Sequence, residues 1–246
     1  MKKLYIWGDS ILRGVTYSEE RGAHGLCRGF RLDRVRELGY EVLNYAKMGA
    51  TVTRGMEIMD RTLPENLDGA TVILEFGGND SDHSWREISA DPQGEHVANT
   101  PLPVFAETYT KMIERVRLAG GRPVLATLVP VDAEKYMRWI SRAGSRESIL
   151  SWLGDTSMLS RWQESYNTAV ERLAVLTGTP ILDLRRDFLL SHEYKSLMSY
   201  DGIHPTDRGH DLIEEKICEM LRRESVPETV YGDVYIALPG AVRAKE

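Results

Sequence analysis

Cysteine is scarce in this chain of 246 residues, which contains only Cys27 and Cys218. Their wide separation is typical of a reduced, intracellular protein rather than a disulfide scaffold or a metal site, although one bridge between them stays open. Long apolar runs are absent as well. Only four apolar residues separate Lys3 from Gly8, too few for the apolar core of a signal peptide, and no later stretch approaches the roughly 20 residues of a membrane span. We therefore expect a cytoplasmic protein without a membrane span.

A dense cluster of positive charge is also missing. The formal net charge is −6, whereas proteins that bind nucleic acid usually carry a basic patch. We therefore expect a small-molecule substrate and no nucleic-acid partner. Hydrophobic residues make up 42% of the chain and charged residues 28%, which is typical of folded globular proteins. The later pattern favours one large domain, predicted at residues 1–226, and a homo-oligomer stays open.

Short apolar segments alternate with segments of helical periodicity along the chain. The segments predicted as strands are residues 4–7, 40–45, 70–76, 123–129 and 180–184. Within the third, the apolar run Val72, Ile73 and Leu74 is typical of a strand buried on both faces. Helices between the strands indicate parallel strands joined by right-handed crossovers. The predicted fold class is therefore α/β, with helices on both faces of a parallel sheet.

Two long segments interrupt this alternation, a first insertion at about residues 81–103 and a second at about residues 130–160. The first lacks periodicity and contains several prolines, so it is predicted to be a long irregular loop, and such loops often carry function. The C-terminal tail, residues 227–246, contains an apolar stretch at 230–238. An edge strand and an interaction arm remain alternatives for this stretch.

Polar clusters follow predicted strands or precede the last helix. They are Gly8-Asp9-Ser10, Met48-Gly49-Ala50, Gly77-Gly78-Asn79-Asp80 and Asp201-Gly202-Ile203-His204. The carboxyl ends of parallel strands meet at one edge of a sheet, so these clusters are expected to converge. A serine nucleophile needs a base and a group that orients the base, and His204 and Asp201 are predicted to serve Ser10 in this way. The backbone N–H groups of Ser10 and Gly49 and the side-chain amide of Asn79 are candidates for stabilising the oxyanion.

A metal site is the alternative for the histidines near the C terminus. His204 lies close in sequence to Asp201, Asp207 and His210. The spacing from His204 to His210 is not the i, i+4 arrangement that places two imidazoles on one helical face. No metal and no cofactor are therefore predicted, and a metal-dependent phosphoesterase is the less favoured alternative.

Together and in this order, the polar clusters resemble the SGNH hydrolases, also called GDSL-type esterases and lipases. The Ser, Gly, Asn and His that name this family match Ser10, Gly49, Asn79 and His204, and the resemblance covers roughly residues 3–222. It implies a flavodoxin-like three-layer α/β/α fold with a five-stranded parallel sheet. It also implies a triad of Ser10, Asp201 and His204, and an oxyanion hole of Ser10, Gly49 and Asn79. Isoleucine replaces the usual leucine of the first motif, and an alanine follows the second strand where glycine is frequent.

The insertions contain the residues predicted to contact the substrate, namely His83, Trp85, Tyr136, Trp139 and Trp152. Aromatic side chains among charged residues and glycines suit a lid or a platform for sugar rings or acyl chains. Trp162 and Tyr166 have helical spacing and are predicted to be core residues. His24 is predicted to be a surface or loop residue without a partner.

The expected function is that of a serine esterase, which hydrolyses a small-molecule acyl ester through an acyl-enzyme intermediate. The Arg- and Trp-bearing insertions favour removal of an acetyl group from a carbohydrate or another small polar alcohol. A lysophospholipase or an acyl-CoA thioesterase is the alternative within the same chemistry. A flavodoxin-like small-molecule binding module, in which Ser10 has no chemical role, is the non-enzymatic alternative.

Overall fold

A five-stranded parallel sheet lies at the centre of the computed structural model, which describes residues 1–224. In chain order the strands are β1 (Lys2–Gly8), β2 (Val15–Ser18), β3 (Ala23–Leu26), β4 (Tyr40–Asn44), β5 (Thr71–Glu75), β6 (Arg122–Ala126) and β7 (Ile181–Leu182). The sheet has the order β4-β1-β5-β6-β7, and its neighbouring strands are parallel. The predicted α/β class is thereby confirmed. The tail at 227–246, with its apolar stretch at 230–238, lies outside the described residues.

The strands alternate their side chains between two buried faces. In β1, Leu4 packs into the core on one face and Tyr5 into the core on the other. Every residue of β5 is buried, as expected for a central strand of a parallel sheet that helices cover on both faces. Gly8 and Glu75, the last residues of β1 and β5, are paired in register. The loops that follow these strands therefore begin side by side at one edge of the sheet.

Helices cover both faces of the sheet. In chain order they are α1 (Ser10–Arg13), α2 (Asp33–Glu37), α3 (Val52–Thr62), α4 (Trp85–Ala90), α5 (Leu102–Leu118), α6 (Ala133–Ile140), α7 (Arg146–Leu153), α8 (Met158–Thr177), α9 (Arg185–Leu190), α10 (Tyr194–Leu197) and α11 (Asp207–Glu224). Helices α2, α9 and α11 contribute to the core on the Leu4 face, and α3, α5 and α8 to the core on the Tyr5 face. The buried side chains of α5 recur at helical spacing, as Phe105, Tyr109 and Met112 do. The layers are α/β/α, as the resemblance implied.

A third hydrophobic core lies outside these layers and is called the outer core below. Its buried side chains are Trp85, Ile88, Tyr136, Met137, Ile140, Ile149, Leu153 and Leu159. They come from α4, α6, α7 and the start of α8, so the first insertion contains a helix and the prediction of a long irregular loop is wrong there. Helix α4 has six residues, of which Trp85 and Ile88 are buried. It is too short to show helical periodicity and depends on packing against α7.

A small antiparallel hairpin, β2–β3, lies apart from the main sheet. The sequence predicts no strand here, because each strand has only four residues and most of them are partly exposed. Tyr17 and His24 are directly opposite each other in the hairpin.

The described part of the chain also bears on two expectations from composition. Within residues 1–224, no helix combines the length and the apolar character needed to cross a bilayer. Cys27 and Cys218 are buried free thiols, so they do not form the bridge that composition left open. The cytoplasmic location stays a prediction.

Candidate active site

Ser10 lies at the sheet edge, two residues beyond the end of β1, and only 5% of its surface is exposed. Asp9 caps α1, because its carboxylate accepts a hydrogen bond from the backbone N–H of Ile11 at 2.8 Å. Gly14 ends this single turn in the left-handed conformation, with φ of 81°. The short capped turn fixes the direction of the Ser10 side chain.

His204 and Asp201 lie on the loop before α11 and meet Ser10 at this edge. His204 Nε2 is 2.9 Å from Ser10 Oγ, and His204 Nδ1 is 2.6 Å from Asp201 Oδ2. Gly202 turns the loop between them with φ of 74°. A side chain there would also meet the backbone of α6, since an added Cβ would lie 2.6 Å from the Asp132 carbonyl oxygen. The geometry is that of a hydroxyl, an imidazole and a carboxylate in series.

The Asp201 carboxylate is fully buried and surrounded by donors. Its Oδ1 accepts from the Ser199 hydroxyl at 2.9 Å and from the backbone N–H groups of Ile203 and His204 at 3.0 Å. Burial raises the pKa of Asp201, but the hydrogen bond and charge of His204 and the backbone donors outweigh it and bring the pKa below its usual value. Asp201 is therefore a carboxylate at neutral pH, and it holds the His204 proton on Nδ1.

A second histidine, His24, also contacts Asp201, contrary to the prediction that it has no partner. Its Nε2 lies 2.8 Å from Asp201 Oδ2, the same oxygen that His204 contacts. The ring centroids of His24 and His204 are 4.8 Å apart. The hairpin β2–β3 carries His24 to the site across 177 positions of sequence, and nothing in the local sequence marks this contact.

His24, Asp201 and His204 are also close enough to hold a metal ion, because their nitrogen and oxygen atoms lie within 4.8 Å of one another. The same atoms already make the short hydrogen bonds described above. His210, which the metal alternative included, points elsewhere, because its Nε2 contacts the Val15 carbonyl oxygen at 2.9 Å. The arrangement therefore matches a hydrogen-bonded triad better than a set of free ligands.

The side-chain amide of Asn79 lies beside Ser10 on the loop after β5. Its Nδ2 donates to Asp9 Oδ2 at 3.0 Å and to the Ala50 carbonyl oxygen at 3.2 Å. Gly49, on the loop after β4, has φ of 74°, a conformation that favours glycine. Asn79 lines the same cavity as Ser10, whereas Gly49 is not among the residues that line it. The oxyanion roles of Ser10, Gly49 and Asn79 stay predictions.

Two further carboxyl groups are buried next to Ser10. The backbone N–H of Asp9 donates to Glu75 Oε2 at 3.3 Å. Burial raises the pKa of Glu75 well above its usual value, and the charge of Asp9 raises it further. Burial also raises the pKa of Asp9, while hydrogen bonds from Ile11 and Glu75 oppose this effect. Burial and the charge of Asp9 both favour the protonated form of Glu75, which limits the negative charge near Ser10.

Asp80 connects the loop after β5 to a distant part of the chain. Both of its carboxylate oxygens accept from the backbone N–H of Val52, at 3.0 and 3.1 Å. Burial raises the pKa of Asp80 to about 6. The loop after β5 is thus tied to the start of α3, next to the loop that carries Gly49.

A cavity of about 80 Å³ adjoins Ser10, Asn79 and His204. Its opposite wall is mainly apolar and aromatic and includes His83, Trp85, Leu128, Val129, Tyr136, Trp152, Leu159 and Trp162. Four of the predicted substrate contacts therefore line this cavity. The fifth, Trp139, lies outside it, packed against Tyr17 and His24 and under the Arg142 guanidinium. Trp162, predicted as a core residue, packs against the core on the Tyr5 face and also lines the cavity, a contact that the sequence did not identify.

Asp82 binds the polar ends of two wall residues. Its Oδ1 accepts from Trp85 Nε1 at 2.7 Å and from the Tyr136 hydroxyl at 2.5 Å. These bonds join the first insertion to α6. The rings of Trp85 and Tyr136 therefore face the cavity, while their polar atoms are already hydrogen-bonded to Asp82.

Comparison with known proteins gives consistent matches. A family model described as GDSL-like Lipase/Acylhydrolase matches residues 6–212. A GDSL esterase/lipase from Arabidopsis thaliana, CPRD49, is 23% identical over 224 residues, which are 89% of this chain and 78% of that protein. The spore germination lipase LipC of Bacillus licheniformis is 23% identical over 214 residues, 85% of this chain and 92% of that one. A solved lipase/acylhydrolase from Enterococcus faecalis has the same fold, with a TM-score of 0.61, 17% identity, and coverage of 91% and 97%.

Proposed function

The chain belongs to the GDSL-like lipase/acylhydrolase family and is a carboxylic ester hydrolase, and from this premise we propose that it is a serine esterase for short acyl groups. Its preferred reaction is removal of an acetyl group from a carbohydrate or another small polar alcohol. The observation that carries the proposal is a hydrogen-bonded series beside a cavity of about 80 Å³. In this series Ser10 Oγ lies 2.9 Å from His204 Nε2, and His204 Nδ1 lies 2.6 Å from Asp201 Oδ2.

The proposed reaction has two halves that use the same groups. Ser10 Oγ attacks the ester carbonyl carbon as its proton passes to His204 Nε2, and Asp201 stabilises the resulting imidazolium. The imidazolium then protonates the departing alcohol oxygen, which leaves the acyl group on Ser10. In the second half, His204 takes a proton from water, whose oxygen attacks the acyl-enzyme. The carboxylic acid departs and Ser10 recovers its proton.

The tetrahedral intermediate needs hydrogen-bond donors for its oxyanion. We assign this role to the backbone N–H groups of Ser10 and Gly49 and to the amide of Asn79. The bonds from Asn79 Nδ2 to Asp9 and to the Ala50 carbonyl hold this amide in place before substrate binds. Loss of one such donor typically costs about 10²–10³ in turnover.

The size of the cavity supports a short acyl group. An apolar cavity of about 150 Å³ accepts one benzene ring, so a cavity of about 80 Å³ has room for about half as many heavy atoms. That matches an acetyl or propionyl group. A typical pocket for a larger ligand is about 300–1,000 Å³, which makes a lysophospholipid or a long-chain acyl-CoA the less favoured substrate.

Polar side chains within the mainly apolar wall support a polar alcohol. Asp82 and His83 line the cavity together with its apolar side chains. Polar groups of this kind orient a ligand through hydrogen bonds. An alcohol with further hydroxyl groups, such as a sugar, would form hydrogen bonds with these side chains.

Covalent labelling tests the serine chemistry. A fluorophosphonate should label the wild-type protein, and Ser10→Ala should abolish labelling while circular dichroism shows an unchanged fold. Ser81→Ala is a matched control, since Ser81 lines the same cavity but is not opposite His204, and it should still be labelled. Folded wild-type protein that does not react would contradict the proposal and favour a binding module.

A series of p-nitrophenyl esters tests the acyl length. A site with room gains about 0.8 kcal/mol, or about fourfold in kcat/KM, for each methylene it buries. We expect no such gain here and a fall of at least about tenfold from acetate to octanoate, because each added methylene lacks space. Acetylated oligosaccharides should be deacetylated as well. Faster cleavage of octanoate than of acetate would favour the lipid hydrolase instead.

A further inference from the structure

Two polar atoms in the cavity wall lack partners. His83 and Trp162 meet edge to face, with ring centroids 4.8 Å apart. His83 Nε2 and Trp162 Nε1 are both buried, and neither forms a hydrogen bond with any of residues 1–224. Both residues line the cavity that contains Ser10, and His83 is only 6% exposed.

Other polar atoms of the same wall do have hydrogen-bond partners within the protein. Trp85 Nε1 and the Tyr136 hydroxyl both donate to Asp82 Oδ1. Burying a donor or acceptor without a partner costs free energy, so nearly all such groups in folded proteins are hydrogen-bonded. Two unpaired atoms on adjacent rings at a reaction site are therefore best explained by a bond to the substrate.

The chemistry of the two atoms limits what they can bind. An indole N–H only donates. Burial and the neighbouring His96 lower the pKa of His83 to about 4, so at neutral pH its imidazole is uncharged and one ring nitrogen can accept. A hydroxyl group matches this pair, because it can accept from Trp162 Nε1–H and donate to His83 Nε2. A carboxylate matches less well, since Asp9 and Asp82 line the same cavity and would repel it.

We propose that His83 and Trp162 together bind a hydroxyl group of the substrate, close to the ester that Ser10 attacks. This inference rests on the proposed esterase function and extends it to substrate selection. The cavity of about 80 Å³ places the hydroxyl within a few bonds of the ester carbonyl. The hydroxyl can belong to the acyl chain, as in a hydroxy-acid ester, or to the alcohol, as in a monoester of a polyol.

Matched ester pairs distinguish the two sources, because each pair exchanges one methyl group for a hydroxyl. The acyl pair is ethyl butyrate and ethyl 3-hydroxypropionate, and the alcohol pair is propyl acetate and 2-hydroxyethyl acetate. Acid release is measured by pH-stat titration, and each kcat/KM is divided by the rate of hydrolysis in hydroxide to remove intrinsic reactivity. In one of the pairs, wild-type protein should prefer the hydroxyl member at least about tenfold, because a site built for a hydroxyl rejects its apolar analogue.

The variants His83→Phe and Trp162→Phe should reduce this preference to within about threefold, since each removes one partner of the hydroxyl. His192→Phe changes an exposed histidine outside the cavity and should keep the wild-type preference. Fluorophosphonate labelling verifies that Ser10 remains reactive in each variant.

The inference would be overturned if wild-type kcat/KM for the hydroxyl ester and for its methyl analogue differed by less than about threefold in both pairs. It would also be overturned if the preference remained in both His83→Phe and Trp162→Phe. Either result in a protein that is labelled and hydrolyses p-nitrophenyl acetate leaves the esterase function intact. A folded wild-type protein that is neither labelled nor active on any of these esters overturns the esterase function and this inference together.

Discussion

Replacing Asp201 by asparagine should disable the proposed base without unfolding the protein. The side-chain carbonyl of the new residue will occupy the position of Oδ1, because Ser199 and the backbone N–H groups of Ile203 and His204 all donate there. Its NH2 group then occupies the position of Oδ2, which faces His204 Nδ1 at 2.6 Å and His24 Nε2 at 2.8 Å. An NH2 group donates and cannot accept.

The consequence for His204 follows from its tautomer. Facing a donor, Nδ1 must accept, so the ring proton moves to Nε2 and that nitrogen can no longer take the proton of Ser10. The same exchange in a serine protease lowers kcat about 10⁴-fold with the geometry retained. We expect a loss of about that size for Asp201→Asn, equivalent to about 5.4 kcal/mol of transition-state stabilisation.

Steady-state hydrolysis of p-nitrophenyl acetate measures this loss, with circular dichroism as the test of folding. Asp132→Asn is the matched control, since Asp132 is also a buried aspartate, and it caps α6 through the backbone N–H of Lys135. Asparagine is an equally good cap, so this variant should keep kcat within about threefold. A kcat for Asp201→Asn above one tenth of the wild-type value would refute the proposed role of Asp201.

Two further substitutions test the surroundings of the triad. Glu75→Gln should raise the free energy of unfolding at pH 8 and change it little at pH 4. Because burial raises the pKa of Glu75 above its usual 4.5, the native state keeps a proton that the unfolded chain releases above that pH. The contribution of Glu75 to wild-type stability therefore falls as pH rises, by up to about 1.4 kcal/mol per pH unit. A difference in urea unfolding between the two proteins that is the same at both pH values would contradict this. His24→Ala should lower kcat about tenfold, because a hydrogen bond to a charged group is worth about 1.5–3 kcal/mol and Asp201 keeps its other donors; an unchanged kcat would mean that the contact is incidental.

The sheet and the residues at its edge could be predicted from the sequence for a physical reason. A parallel strand buried on both faces is a continuous apolar run, as in β5, and the loops after such strands share one edge. The rule places Ser10 at that edge, but Asp201 and His204 lie on the loop before α11, so their convergence with Ser10 was expected also because a serine nucleophile needs a base and an orienting carboxylate. The hydrogen-bond distances between them confirm the convergence.

The remaining features depend on contacts that leave no periodic signal. Helix α4 is too short to show a pattern, and its position depends on the aromatic side chains it packs against. His24 lies on a partly exposed hairpin and meets Asp201 only through tertiary folding. The spacing of Trp162 fits a core helix, which α8 is for most of its length, so its contact with the cavity could not be read from periodicity.

The outer core has a consequence for how this protein could change. Ser10 and its partners are carried by loops around the central sheet, whereas Trp85, Tyr136, Trp152 and Leu159 of the facing wall come from the helices α4, α6, α7 and α8 that form the outer core. Part of the cavity wall is thus packed separately from the reacting groups, while Trp162 packs against the core on the Tyr5 face. Mutational libraries confined to the outer core could redirect the enzyme toward new esters while the reacting groups stay in register, and natural divergence could follow the same route.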